Sequence, residues 1–132
     1  MIITVSVTTL GNGADAVIRS ITASEGSEEF QRVVDIDSCL ALGLSVDGRS
    51  LCAWKDGGEE ALAVPIREAL NDLKEAFSWE DKLVVMDMGH HHAAVFDTAY
   101  RRLGMSVPWQ FYNLRDLNSF EAHAREHYVR QA

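Results

Sequence analysis

Two prolines and two cysteines are all that 132 residues contain. So little proline excludes a proline-rich linker or a disordered tail of that kind. Cys39 and Cys52 stand outside any Cys-x-x-Cys spacing, and no second pair completes a zinc or redox motif. Two reduced, mostly buried thiols are expected, with a structural disulfide as the alternative. No apolar run is long enough to span a bilayer, and Met1-Ile2-Ile3-Thr4 lacks the basic start of a signal peptide. Positive charge is also scarce. Twelve Lys and Arg face twenty Asp and Glu, for a formal net charge of −8. Tight nonspecific binding to a phosphate backbone needs a basic surface, so that class is disfavoured. No glycine-rich phosphate loop follows Gly11-Asn12-Gly13, and no Ser-His-Asp set can be assembled.

What is present fits a cytoplasmic globular chain. Hydrophobic residues make up 47% of it, and the length suits a single domain over residues 1–132 with one core. Ile3, Val5 and Val7 alternate with Thr4, Ser6 and Thr8, the period of a half-buried strand. Residues 15–24 and Phe30 to Ile36 read as two further strands, which complete an antiparallel meander with turns at Gly11-Asn12-Gly13 and Glu25-Gly26-Ser27. Asp37 or Ser38 is a candidate cap for a short helix through Leu44. Val46 to Trp54 is weakly helical. Pro65 suits the first position of a helix whose Ile66, Ala69, Leu70, Leu73 and Phe77 share one face.

Lys82 to Met86 predicts a short central strand. Ala93 to Leu103 predicts a helix ended by Gly104, with Asp97 and Arg101 spaced to pair. Gln110 to Asn113 predicts a fifth strand, and residues 116–130 a last helix. The order implies a mixed α/β sheet with helices on its faces.

Three stretches carry a family resemblance: Val5-Ser6-Val7-Thr8-Thr9-Leu10-Gly11; Asp37 to Asp47 with Leu51 and Trp54; and, most specific, Tyr100-Arg101-Arg102-Leu103-Gly104 continuing through Pro108-Trp109-Gln110-Phe111-Tyr112-Asn113-Leu114-Arg115-Asp116-Leu117. The chain resembles the DEDD-type 3′–5′ exonucleases of the ribonuclease H-like fold, above all their short phage and bacterial exoribonuclease-like members. The resemblance implies a ribonuclease H-like five-stranded sheet. It also implies an active site in which four carboxylates hold two divalent cations, magnesium or manganese, that activate water and stabilise the leaving oxygen.

At the positions that match the family's carboxylates, this chain carries other residues. The first strand offers Ser6 and Thr8. Counting back from Tyr100 places His92 at the next acid. Aligning Gln131-Ala132 with the family's last helix places Ala122 at the general base and His127 at the last acid. If that final alignment is out of register, the chain stops before the last motif. Either way the resemblance implies a scaffold without its catalytic residues.

The remaining candidates are weighed against plainer roles. His90-His91-His92, with His127, invites a nickel or zinc site, and an adventitious ion is the expected occupant. Three consecutive side chains do not converge on one point. Asp87 and Asp97 read as solvated charge. Arg115 and Asp116 read as a cap or ion pair at the entrance to the last helix. Trp109 and Tyr112, with Arg101 and Arg102, form a candidate binding surface for a base or a partner protein. Phe111 is assigned to the core.

The leading expectation is a catalytically inactive exonuclease homologue that acts by binding or inhibition. A phage protein that blocks a host defence complex, as anti-CRISPR proteins do, is one form of it. The partner is then a host protein or nucleoprotein complex, with free nucleic acid a weak alternative and a homodimer allowed. The alternative is a divergent metal-dependent 3′–5′ exonuclease acting on RNA or DNA.

Overall fold

The alternation in the first strand becomes a sheet with two unlike faces. A computed structural model describes residues 2–46, 62–87 and 89–117. Its elements are β1 (Ile2–Thr9), β2 (Ile18–Glu25), β3 (Glu28–Val33), α1 (Ile36–Ala41), α2 (Ile66–Ala76), β4 (Leu83–Met86), α3 (Gly89–Arg102), a 3-10 turn (Phe111–Asn113) and β5 (Leu114–Asp116). The strands lie in the order β3-β2-β1-β4-β5. β1, β2 and β3 form the antiparallel meander, while β4 runs parallel to β1, and β5 parallel to β4. This is the expected mixed five-stranded α/β sheet, consistent with a ribonuclease H-like fold.

Ile3, Val5 and Val7 of β1 are buried beside Ile21, Val84 and Met86. The apolar stripes of α2 (Ile66, Ala69, Leu70, Leu73) and α3 (Val95, Phe96, Ala99, Tyr100) join the same core. Tyr100 Oη donates to the Leu70 carbonyl at 2.7 Å, so the two helices meet through a satisfied polar contact rather than an orphaned hydroxyl. Trp109 stands edge-on to Phe96 at 5.3 Å and to Trp79 at 5.8 Å, an aromatic wedge at the end of this core.

Several boundaries differ from the sequence-based expectation. β2 begins at Ile18, and the third strand ends at Val33, leaving Ile36 to open α1. The cap of α1 is Asp35, whose carboxylate accepts from Ser38 N at 3.1 Å, not Asp37 or Ser38, and the helix stops at Ala41. Ser38 Oγ instead receives the Ile66 amide at 2.9 Å and so ties α1 to the start of α2. Pro65 precedes the first turn of α2 as its cap residue. The predicted helices over 46–54 and 116–130 fall almost wholly outside the described residues, as does Cys52.

Cys39 is buried with Sγ 3.7 Å from the Ile18 carbonyl, and burial pushes its thiol from 9.0 up to about 11. The unfolded thiol ionises first, so this contribution to stability is complete below pH 9. It is lost as pH rises from 9 towards 11. Two pH units correspond to about 2.7 kcal/mol. Urea unfolding at pH 8 and pH 10 should therefore show a loss of about 1 kcal/mol in the native protein that Cys39→Ala lacks. Equal losses in both proteins would refute the assignment.

Candidate functional site

The parallel pairing of β1 with β4 places the carboxyl ends of the two strands side by side, with Val5 opposite Met86. The next residues along are Ser6 and Asp87. Because side chains alternate along a strand, Thr4, Ser6 and Thr8 all point away from the buried Ile3, Val5 and Val7. Thr4 and Thr8 are exposed and Ser6 is half-buried. Their partners on β2 are Ser24, Thr22 and Ser20, so the three alternate pairs that face this side are hydroxyl on hydroxyl. Thr8 Oγ1 and Ser20 Oγ are hydrogen-bonded to each other. A groove of about 510 Å³ crosses this face, lined by Thr4, Ser6, Thr22, Ser24, Glu29 and Gln31. Among the described residues Glu29 is the one carboxylate on that lining, and it sits on the outer strand.

α3 carries His92, close enough to Asp87 at the end of β4 for that carboxylate to act on its imidazole. The histidine run is helical rather than a loop, because α3 starts at Gly89, four residues before the expected Ala93. Successive helical residues point about 100° apart, so His91 and His92 do not share a direction. The rings of His91 and His92 lie 5.8 Å apart. His92 is held below its ordinary pKa, chiefly by burial and then by His91, with Asp87 pulling the other way. Its imidazole is therefore neutral at pH 7, and Nδ1 is buried with no partner among the described residues.

The reason for the early start of α3 is Asp116. Its Oδ1 accepts from Gly89 N at 2.7 Å, placing a carboxylate from β5 at the positive end of the helix. Asp116 thus caps α3, a helix that starts 27 residues earlier in the chain. The approach is close: a Cβ on Gly89 would lie 2.8 Å from Asp116 Cα.

The other candidates separate into surface and scaffold. Asp97 and Arg101 form the expected ion pair at 2.7 Å, with Arg101 79% exposed. Arg102 is a tether, its Nη1 donating to the Gly43 carbonyl, where the chain turns at a positive φ of 90°. Trp109 is buried, and Phe111, assigned to the core from sequence, is 86% exposed with Tyr112 at 56%. The segment forms a 3-10 turn ahead of β5 instead of the strand expected over 110–113, and that exchange turns Trp109 inward and Phe111 outward. Ala122 and His127 lie outside the described residues.

A pair of divalent cations fits this donor set poorly. Hard cations require several anionic oxygens, whereas β1 presents two neutral hydroxyls, one already bonded to Ser20, and α3 presents a neutral imidazole. Among the described residues no three His, Cys, Asp or Glu side chains converge. Likewise no helix among them is long and apolar enough to cross a membrane.

No curated protein matches the chain. The family model of the Rv2179c-like 3′–5′ exoribonuclease domain matches residues 2–132. With nearly the whole length matched and the sheet order in place, the chain belongs to the Rv2179c-like 3′–5′ exoribonuclease domain family.

Proposed function

We propose that this family member is catalytically silent and acts by binding a host protein or nucleoprotein complex in the cytoplasm. The observation that carries the reading is the outward row of β1. Ser6 and Thr8 share one face, beside the end of β4, where the resemblance expects two metal-binding carboxylates. Hydroxyls there leave charge on a cation pair unbalanced, and the neutral His92 adds none. A net charge of −8 supports a partner with a basic surface.

A second reading is favoured by the family match itself: a divergent 3′–5′ exonuclease that uses other ligands. Labelled single-stranded RNA and DNA, incubated with magnesium and then manganese, separate the two. The silent reading expects full-length substrate in all four reactions. Processive shortening that is abolished by His92→Ala would overturn it. The histidine run is tested by the same preparation, since nickel or zinc carried from purification should leave on chelation without changing the melting temperature.

A further inference from the structure

Of the four asparagines in the chain, Asn12 alone precedes a glycine. It stands in the connection from β1 to β2, where Asn12, Gly13 and Ala14 are exposed. Both ends of that connection are pinned by backbone bonds. Leu10 N donates to the Val17 carbonyl at 2.9 Å, Val17 N to the Ser45 carbonyl at 2.8 Å, and Ser45 N to the Asp15 carbonyl at 2.8 Å. Ala16 N closes the tip on the Gly13 carbonyl at 3.2 Å. Neither the Gly13 amide nor the Asn12 carboxamide finds a hydrogen-bond partner among the described residues.

The other asparagines lack this combination. Asn71 lies inside α2, where the helix fixes the backbone beside it, and Asp72 follows it. Asn113 precedes Leu114, and its Nδ2 is tied to Gln110 Oε1 at 3.0 Å. Asn118 lies outside the described residues. The glycine matters because no β-carbon hinders its nitrogen as it nears the asparagine side chain, and its backbone has the widest conformational freedom. An exposed loop tip also supplies the motion that such an approach requires.

We propose that Asn12 is a site of spontaneous covalent modification, converted through a cyclic imide to aspartate or isoaspartate. The Gly13 nitrogen attacks Asn12 Cγ. An N–Cγ bond forms, the Cγ–Nδ2 bond breaks, and the amide proton leaves with Nδ2 as ammonia. One water then opens the ring. Addition at Cγ restores the original backbone and leaves aspartate. Addition at the Asn12 backbone carbonyl routes the chain through the side chain and leaves isoaspartate. Either product takes the formal charge from −8 to −9, as one neutral side chain becomes anionic. The new carboxylate joins Asp15 in the turn beyond the carboxyl end of β1. Because Leu10 and Val17 are pinned to each other, the extra backbone carbon of isoaspartate falls in the exposed tip. The modification therefore changes surface charge at this turn and leaves the sheet intact.

The test is incubation of the native protein in mildly alkaline buffer at physiological temperature. Ion exchange follows the acidic species, and peptide-resolved mass spectrometry locates it. Asn12 should convert at a rate within about tenfold of a synthetic peptide spanning residues 8–17, since opening an exposed tip costs little. Peptides that hold Asn71 and Asn113 should keep their amides. Gly13→Ala should slow the reaction about tenfold or more. The fold accommodates that substitution. Gly13 lies outside the left-handed region, and the atom nearest its new β-carbon is Asp15 Oδ1 at 2.8 Å, the end of a movable side chain. Asn12→Gln, whose longer side chain closes a ring far more slowly, should remove the acidic species without moving the melting temperature. Conversion more than about tenfold slower than in the peptide would mean that the turn protects Asn12, and would overturn the proposal. So would equal loss at Asn71, or an acidic species that persists in Asn12→Gln. Shortening of RNA in magnesium would overturn the silent-site reading alone, because this reaction uses none of the residues of that site.

Discussion

Lys82→Met is expected to destabilise the protein by about 3 kcal/mol, the low end of the range for stranding a buried charge. Glu25 is the last residue of β2 and is buried, although it closes a hairpin opposite Glu28. Its carboxylate receives the Lys82 ammonium, Nζ lying 2.7 Å from one oxygen and 3.0 Å from the other. Lys82 sits just before β4, on the far side of β1. The pair therefore bridges the starts of β1 and β4 to the end of β2, joining the meander to the parallel half of the sheet. Removing the ammonium leaves a carboxylate with a like charge opposite it and little access to water. Lys82 is itself partly exposed, which keeps the cost from reaching the upper range. A double-mutant cycle with Glu25→Gln isolates the interaction. Urea unfolding should show Glu25→Gln recovering at least 1 kcal/mol in the Lys82→Met background. Additivity of the two substitutions within about 0.5 kcal/mol would refute the coupling.

What could be read in advance follows from how far each determinant lies along the chain. β1 and α2 were legible because their apolar periods are local and regular, and the alternation that put Ser6 and Thr8 on one face of β1 holds in the folded strand. The start of α3 was not legible. Nothing near Gly89 announces a cap, because the capping carboxylate comes from Asp116, 27 residues later. Pattern also failed across Trp109, Phe111 and Tyr112. All three are apolar and aromatic, and only the pocket between Phe96 and Trp79 decides which ring is taken. Arg102 looked like half of a basic spot for the same reason, since its partner is a carbonyl 59 residues away. At the candidate site, the residue types at Ser6, Thr8 and His92 were plain in the sequence. The burial that keeps His92 neutral became visible only when α3 was placed against the sheet.

Gly89→Ala is expected to cost about 2 kcal/mol, against the usual sign for a glycine inside a helix. Alanine normally stabilises a helical position by roughly 0.5–1 kcal/mol relative to glycine. Here the new Cβ would stand 2.8 Å from Asp116 Cα and 3.2 Å from Asp116 N, both backbone atoms that cannot swing aside. Either α3 lifts from the sheet or β5 shifts in register with β4, and overpacking of this kind costs about 1–3 kcal/mol. Both movements lengthen the 2.7 Å bond from Gly89 N to Asp116 Oδ1, adding up to about 1 kcal/mol for a weakened cap. Asp116→Ala separates the two contributions: it removes the cap, leaves the close approach, and should cost only about 1 kcal/mol. Thermal unfolding ranks the variants, and amide exchange locates the damage, which should concentrate in β5 and the first turn of α3 while β2 and β3 keep their protection. A stabilised Gly89→Ala would mean that the helix and strand are not in contact as described. The consequence reaches the candidate site, because the first turn of α3 carries His92. A glycine outside the left-handed region, kept for the absence of its side chain, is what lets the start of α3 sit against β5.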